Sequence, residues 1–188
     1  MRVIAGKFRR RPLRSMRGMN VRPTADRLRE TLFDVLTAGN PTALEGTVWL
    51  DLYAGTGAVG IEALSRGAGW VYFVESSKEA AGLIEANLSS LGISEGFEVL
   101  RAHVLRTLEK FKDEGVGVDF VFLDPPYRME EAYGKTLEQL STTSLLRAGG
   151  VVVVEHQNRF DPGDGSEGLK RYRVLKQGDA ALSFYKRS

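Results

Sequence analysis

The chain has 188 residues, no cysteine and two histidines, with 43% hydrophobic and 27% charged residues. This length suits one well-buried globular domain, whereas two full domains would be cramped. The composition excludes disulfide bonds and thiolate metal sites, and two histidines argue against a histidine-built metal site. The apolar runs are short and no apolar core follows the N-terminal arginines, so we expect a cytoplasmic protein with no signal peptide and no membrane span.

Basic residues are concentrated near the N-terminus. Residues 1–30 carry ten Lys or Arg against two acidic residues, a balance of +8, and the remaining 16 basic and 22 acidic residues place the rest of the chain at −6. A cationic segment on an acidic body attracts polyanions, so this segment is expected to bind nucleic acid; a solvated arm is the alternative. The cations expected to contact phosphates are Lys7, Arg9, Arg10, Arg11, Arg14 and Arg22.

The first forty residues predict an arm followed by a helix. Residues 2–14 are expected to form a hairpin or extended arm that turns at Gly6, and residues 15–22 a flexible loop. Apolar spacing then predicts a helix with Thr24 as its N-cap and Arg27 near its start. One boundary is expected near residue 20, which gives a basic arm over 1–20 and a sheet domain over 21–188.

Strands and helices alternate after residue 47. Strands are predicted at 48–53, 71–75, 97–100, 119–124 and 151–155, and helices at 61–65, 76–91, 105–111 and 129–146. The last helix is expected to present Leu137, Leu140, Leu145 and Leu146 to the core, with a break at 141–144. A mobile loop at 157–168 then leads to an antiparallel hairpin formed by 169–176 and 180–185. This pattern predicts an α/β fold with a mostly parallel seven-stranded sheet and right-handed crossovers.

The strand predicted at 119–124 ends in Asp124, and Pro125, Pro126 and Tyr127 follow it. Ligands of open α/β sheets bind at the carboxyl ends of the strands. The Asp124 carboxylate and the Pro125 carbonyl can both accept hydrogen bonds from an exocyclic amino group, while Tyr127 can stack on a base. Asp-Pro-Pro is also an ordinary way to end a strand, so a simple turn is the structural alternative.

A glycine loop follows the first strand of the sheet. Asp51 precedes Gly55, Gly57 and Gly60, and Glu75 ends the next strand, where a carboxylate can bind both hydroxyls of a ribose. The spacing matches the dinucleotide fingerprint. Two features favour S-adenosylmethionine instead: Asp51 suits an ammonium-bearing ligand better than a pyrophosphate, and hydride transfer has no use for the Asp124 loop. A loop that only packs is the remaining alternative.

Together these motifs resemble class I methyltransferases that act on the exocyclic amino groups of bases. The segments 1–13, 22–36 and 50–67, with the Asp-Pro-Pro-Tyr loop, are similar to the bacterial 16S ribosomal RNA guanine-N2 methyltransferases of the RsmD family. This resemblance implies a Rossmann-like fold, S-adenosylmethionine as methyl donor and S-adenosylhomocysteine as product. It also implies a monomer that acts on 16S rRNA within a small ribosomal subunit or an assembly intermediate.

The resemblance also implies roles for individual residues. The methionine part of the cofactor would contact the glycine loop, and the segment from Thr24 to Arg27 would border it. The ribose would contact Glu75 and Ser76. The implied cofactor residues are Asp51, Tyr53, Gly55, Gly57, Glu75, Ser76, Thr24 and Arg27, and the implied catalytic residues are Asp124, Pro125, Pro126 and Tyr127. His103 stands where these enzymes often have an Asp facing the adenine, so this contact departs from the family pattern.

Three other functions are consistent with parts of this pattern. Adenine-N6 methyltransferases that act on DNA or RNA share the Asp-Pro-Pro-Tyr loop, and they would be distinguished by the nucleoside that receives the methyl group. A nicotinamide-dependent oxidoreductase would bind a dinucleotide without competition from S-adenosylhomocysteine. A non-catalytic RNA-binding protein is the third alternative, and intact Asp124, Tyr127 and Glu75 argue against it.

Overall fold

A computed structural model describes residues 1–16 and 23–187. Eight strands form one sheet with helices on both faces, and the predicted α/β fold is confirmed. The helices are α1 (Pro23–Leu36), α2 (Ala58–Ser65), α3 (Lys78–Leu91), α4 (Val104–Asp113) and α5 (Glu130–Thr142). The strands are β1 (Val48–Leu52), β2 (Trp70–Val74), β3 (Phe97–Leu100), β4 (Val118–Leu123), β5 (Leu146–Gln157), β6 (Gly165–Ser166), β7 (Leu169–Gln177) and β8 (Ala180–Arg187).

The strands run in the order β3-β2-β1-β4-β5-β8-β7-β6. Strands β1 to β5 pair in parallel, and β8 joins β5 as the first of the antiparallel strands. The chain winds outward from β1 toward β3 and then returns to place β4 on the other side of β1. This reversal opens a crevice at the carboxyl ends of β1 and β4, which is where such sheets bind ligands.

Alternating side chains divide the core into two halves. Trp49, Phe122 and Val153 pack toward α1, α2 and α3, on the side that we call the α1 face. Leu50, Leu123 and their neighbours pack toward α4 and α5 on the opposite face. Because successive strand residues point to opposite faces, the residue two positions after each α1-face residue returns to the α1 face.

Several element boundaries differ from the sequence-based expectation. Helix α1 begins at Pro23, so Thr24 lies in its first turn and is not the N-cap; proline suits this position because its fixed φ is already helical. Helix α5 ends at Thr142, within the expected break at 141–144, and Thr143 is extended; Leu145 therefore precedes β5, Leu146 begins it, and neither belongs to a helical stripe.

The segment predicted as a mobile loop contains the short strand β6, which adds an eighth strand to the seven expected. The predicted boundary near residue 20 and the cation Arg22 lie outside the described residues. Within the described part of the chain, no helix is long and apolar enough to cross a membrane.

Residues 1–14, which we call the basic arm, form a hairpin that is fixed to the sheet domain. Its two halves pair between Arg2 and Pro12, and the amide of Lys7 donates to the Ser65 carbonyl at 2.7 Å beside the turn at Gly6. The buried Glu62 carboxylate accepts hydrogen bonds from two further arm amides, those of residues 4 and 5, at 2.7 and 2.9 Å. The backbone of the arm is thus held by helix α2.

A second attachment involves Asn87 of α3, whose side chain is fully buried. Its Oδ1 accepts from the Arg14 amide at 2.8 Å, and its Nδ2 donates to the Arg14 carbonyl at 3.1 Å and to the Thr56 carbonyl at 3.0 Å. Since Thr56 belongs to the glycine loop, one side chain connects the end of the arm to that loop.

We expect Glu62→Gln to loosen the arm. A glutamine amide offers one oxygen where the carboxylate offers two, so one arm amide would lose its acceptor, at a cost of about 1–3 kcal/mol. Amide hydrogen exchange at Ile4 and Ala5 should accelerate in this variant. The control is Glu85→Gln at an exposed position of α3, which should leave the exchange at Ile4 and Ala5 unaltered. Unchanged protection in Glu62→Gln would show that the arm does not depend on this carboxylate.

Candidate functional site

Three adjoining cavities of about 550, 610 and 720 Å³ lie along the carboxyl edge of the parallel strands. We name them after one lining residue each: the Glu75 cavity (550 Å³), the Asp51 cavity (610 Å³) and the Gln157 cavity (720 Å³). Tyr127, which is 46% exposed, lines all three. Most of the predicted catalytic and cofactor residues therefore border a continuous crevice with Tyr127 at its centre, whereas Arg27 and Gly57 line none of the three cavities.

The glycine loop between β1 and α2 needs its glycines for two different reasons. Gly55 and Gly57 adopt φ values of 56° and 75°, which side-chain-bearing residues rarely adopt. A Cβ on Gly60 would lie 2.3 Å from Cε1 of Phe73, so this glycine permits close packing of α2 on β2. The glycines therefore allow the loop and the start of α2 to lie close to the sheet, and Gly55 lines the Asp51 cavity.

Asp51 holds the loop from beneath. Its Oδ2 accepts a hydrogen bond from the Gly60 amide at 2.9 Å, and its side chain is buried at the edge of the Asp51 cavity. Burial raises the pKa of Asp51 to about 7, and the Glu75 charge adds to this effect while the bond from Gly60 opposes it. The carboxylate therefore changes its charge near neutral pH.

Glu75 follows β2 and lies beside the glycine loop. Its Oε2 accepts from the Gly55 amide at 3.0 Å, and its Oε1 accepts from the Ser77 amide at 2.8 Å. Each carboxylate oxygen retains accepting capacity toward the Glu75 cavity, which Ser76 and the exposed His103 also line. This arrangement can accept two hydroxyl donors from a ligand such as a ribose.

The loop after β4 is braced from within the protein. The Tyr133 hydroxyl of α5, a contact not predicted from the sequence, donates to the Pro125 carbonyl at 3.4 Å. This is a long hydrogen bond, and a carbonyl oxygen can accept a second one. Asp124, Pro125 and Pro126 line the Glu75 cavity, and Asp124 also lines the Asp51 cavity. The structure therefore brings the four predicted residues 124–127 together at the crevice.

Three carboxylates lie toward the carboxyl ends of three adjacent strands, on the same face of the sheet: Asp51 within β1, Asp124 directly after β4 and Glu155 within β5. Asp51, Asp124 and Glu155 each come two residues after an α1-face residue, and all three line the Asp51 cavity. Burial raises the pKa of Asp124 well above its usual range, and the charges of Glu155 and Asp51 raise it further. Burial likewise raises the pKa of Glu155. From the sequence, Glu155 was expected at the end of a strand and was not assigned to the site, although the two-residue spacing was visible.

Arg29 of α1 faces these acids from the opposite wall. It is buried, donates to Asp26 and to the Arg2 carbonyl, and lies 3.9 Å from a Glu62 oxygen. Its Nε has no hydrogen-bond partner among the described residues. Arg27, which was expected to border the cofactor, is exposed and lies outside the three cavities, because it falls on the outer side of the helix.

The cations expected to bind RNA lie on the surface of the basic arm. Lys7, Arg9, Arg10, Arg11 and Arg14 are exposed, and Arg11 donates to the Ser90 carbonyl at 2.9 Å. The arm begins and ends at the crevice, since Met1 and Ser15, the residue after the arm, line the Asp51 cavity and Met16 lines both this cavity and the Glu75 cavity. The basic surface is therefore continuous with the wall of the site.

The charge of the crevice favours a cationic ligand over a pyrophosphate. Four acids, Asp51, Glu75, Asp124 and Glu155, line the Glu75 and Asp51 cavities, and Arg29 is the only lysine or arginine among the described residues that line them. An anionic dinucleotide would meet these carboxylates directly. A ligand with ammonium and sulfonium charges and a ribose meets complementary groups, so the residues present fit S-adenosylmethionine.

Comparison with known proteins agrees with this assignment. A family model described as Conserved hypothetical protein 95 matches residues 1–186. Ribosomal RNA small subunit methyltransferase D of Escherichia coli K12 is 31% identical over 192 aligned positions, which cover 100% of this chain and 90% of the relative. The match therefore includes both the basic arm and the sheet domain.

Solved structures show the same fold. A hypothetical protein of Thermus thermophilus superposes with a TM-score of 0.81 at 30% identity, covering 98% of each chain. The structure of SMU.776 in complex with SAH superposes with a TM-score of 0.68 at 14% identity, over 88% of this chain and 50% of the other, which is a likeness of fold alone. From the match over residues 1–186 and the full-length relatives, we conclude that the chain belongs to the RsmD family of S-adenosylmethionine-dependent rRNA methyltransferases.

Proposed function

We propose that this protein transfers a methyl group from S-adenosylmethionine to the exocyclic N2 of a guanine in 16S rRNA, in the cytoplasm and as a monomer. The observation that carries this proposal is the Asp124 to Tyr127 loop, which contributes Asp124 to the acid-lined Asp51 cavity and Tyr127 to both this cavity and the Gln157 cavity. The relative named as a small-subunit rRNA methyltransferase supports the RNA substrate.

The cofactor is expected to extend across two of the cavities. The methionine part would lie in the Asp51 cavity beside Tyr53 and the glycine loop, with its ammonium toward Asp51. The ribose would contact Glu75 and Ser76 in the Glu75 cavity. The adenine would then lie near His103, through either its ring or a backbone group. Thr24 and Arg27 remain predicted neighbours of the methionine end, and Arg29 is the α1 residue whose side chain reaches that wall.

S-adenosylmethionine supplies an electrophilic methyl group on its sulfonium, and S-adenosylhomocysteine is the product. The contribution of the protein is to make the guanine amine a better nucleophile, because its lone pair is delocalised into the ring. The Asp124 carboxylate and the Pro125 carbonyl would each accept a hydrogen bond from one N–H group of this amine. These bonds would stabilise the positive charge that develops on the nitrogen. The proton lost from N2 passes to Asp124 or to water.

Tyr127 is expected to stack on the target base. A base in folded RNA must leave its own stack to reach this loop, and an aromatic ring replaces part of the lost interaction. Its exposure of 46% gives the ring the accessible surface that this role requires. The exposed cations of the basic arm would hold the flanking phosphates, which gives affinity but cannot select the base.

The direct test uses purified protein, methyl-labelled S-adenosylmethionine and unmodified small ribosomal subunits or their naked RNA. Label in N2-methylguanosine after digestion to nucleosides would support the proposal. Label in N6-methyladenosine would replace it with adenine methylation by the same loop. Absence of label from both substrates would overturn it.

Asp124→Ala is expected to reduce methyl transfer by at least about 100-fold, because one of the two acceptors for the reacting amine is lost. Binding of S-adenosylhomocysteine, measured by calorimetry, should change little. Asp34→Ala on the exposed side of α1 provides a control of the same charge. Wild-type turnover in Asp124→Ala would contradict the mechanism.

Cofactor binding should depend on pH. Burial raises the pKa of Asp51 and of Glu155 to about 7, so these two acids gain charge as the pH rises through neutrality. From pH 6 to pH 8, the affinity for the sulfonium S-adenosylmethionine should rise roughly 3- to 10-fold more than the affinity for S-adenosylhomocysteine. Titration calorimetry at both pH values measures this ratio, and a constant ratio would show that the acids do not sense the sulfonium.

Replacing Arg9, Arg10 and Arg11 together by alanine should weaken RNA binding and flatten its dependence on salt. Each lost phosphate contact lowers the slope of log affinity against log salt by about 0.7 to 0.9. The matched control replaces three exposed cations of α4, Arg106, Lys110 and Lys112, by alanine. An unchanged slope in the triple arm variant would remove the arm from the RNA interface.

A further inference from the structure

Glu155 makes no contact with the target base in the methyl transfer proposed so far, although its position next to Asp124 is well defined. Strands β4 and β5 pair in parallel with Leu123 opposite Val154, so the next residues are Asp124, directly after β4, and Glu155 of β5. Both side chains belong to the α1 face, since Phe122 and Val153 two residues earlier pack there. The two carboxylates therefore lie side by side at the same edge of the sheet.

Glu155 also connects the cofactor side of the crevice with the outer side. It lines the Asp51 cavity together with Asp124, and it lines the Gln157 cavity together with Tyr127. A base stacked on Tyr127 with its amine at Asp124 would therefore direct the adjoining atoms of the same edge toward Glu155.

The chemistry of guanine fits such a pair of acids. Its exocyclic N2 amine and its ring N1–H are adjacent donors on one edge, so two neighbouring carboxylates can accept from both. Adenine offers a lone pair at N1, which a carboxylate would repel. Asp124 alone accepts from any exocyclic amine and cannot distinguish the two bases.

We propose that Glu155 selects guanine by accepting a hydrogen bond from its N1–H while Asp124 and the Pro125 carbonyl hold N2. This inference rests on the proposed function, which it deepens by naming the residue that chooses the base. Burial raises the pKa of Glu155 because it removes water that would donate hydrogen bonds to the carboxylate. The N1–H of guanine replaces one of these donors, and the hydrogen bond is stronger in this less polar environment. Arg29 on the opposite wall favours the ionised form that accepts this donor.

The test compares two RNAs that differ at one nucleobase. A small-subunit RNA is ligated with either guanine or 2-aminopurine at the position that wild-type protein methylates. 2-Aminopurine keeps the exocyclic amine but has a lone pair at N1 and no O6. The measured quantity is the ratio of kcat/KM for guanine over 2-aminopurine, in wild type and in Glu155→Gln.

Wild-type protein should prefer guanine by about 10- to 100-fold or more. Glu155→Gln should lower this ratio by about 10-fold, since an amide can donate to the N1 of 2-aminopurine. Loss of O6 affects both proteins equally, so the change in the ratio isolates N1. Glu167→Gln at an exposed site outside the cavities is the control and should leave the ratio unchanged.

Several outcomes would overturn the inference while leaving the proposed function intact. The first is an equal rate on both RNAs in wild type, and the second is an unchanged ratio of kcat/KM for guanine over 2-aminopurine in Glu155→Gln. The third is a loss of S-adenosylhomocysteine binding in Glu155→Gln, which would place Glu155 at the cofactor. If Glu155→Gln does not fold, Glu155→Asp retains the carboxylate and should keep the guanine preference; loss of that preference would contradict the proposal. If wild type methylates no guanine, the proposed function itself fails.

Discussion

The parallel pairing of β1 with β4 is the constraint on which the rest of the site depends. It sets Leu52 beside Leu123, so that the glycine loop and the Asp124 loop leave the sheet at neighbouring points. A shift of one residue would turn Asp124 to the opposite face, where α4 and α5 pack. The pairing is fixed by apolar side chains buried on both faces, and the chemistry at the edge is therefore positioned by the core beneath it.

Crowding carboxylates at this edge opposes folding. Asp51, Asp124 and Glu155 are drawn from water toward one another, and burial raises the pKa of each of them. Such groups destabilise the ligand-free protein at neutral pH, because the folded state disfavours their ionised forms. A ligand that brings positive charge relieves this penalty, so the same arrangement that weakens the empty site favours a cationic cofactor.

Much of this architecture could be predicted from the sequence. Apolar runs, the glycine spacing and the Asp-Pro-Pro-Tyr loop indicate the parallel sheet and both functional loops, since these features are local. Other features depend on contacts between distant segments. Helical periodicity cannot show that Arg29, and not Arg27, reaches the cavity, or that Glu62 accepts the amides of Ile4 and Ala5. The expected break at 141–144 contains the end of α5 at Thr142, but the helix does not resume at Leu145 and Leu146 as their spacing had indicated, because Thr143 is extended.

The attachment of the basic arm has a consequence for how a substrate nucleotide is chosen. Glu62 and Asn87 join the arm to α2, α3 and the glycine loop by buried hydrogen bonds, so the arm is part of the rigid body that carries the crevice. If the exposed cations of the arm bind phosphates, the distance between the bound RNA backbone and the reacting nitrogen is fixed. An RNA would then be selected by whether its fold spans that distance, which requires no recognition of neighbouring sequence.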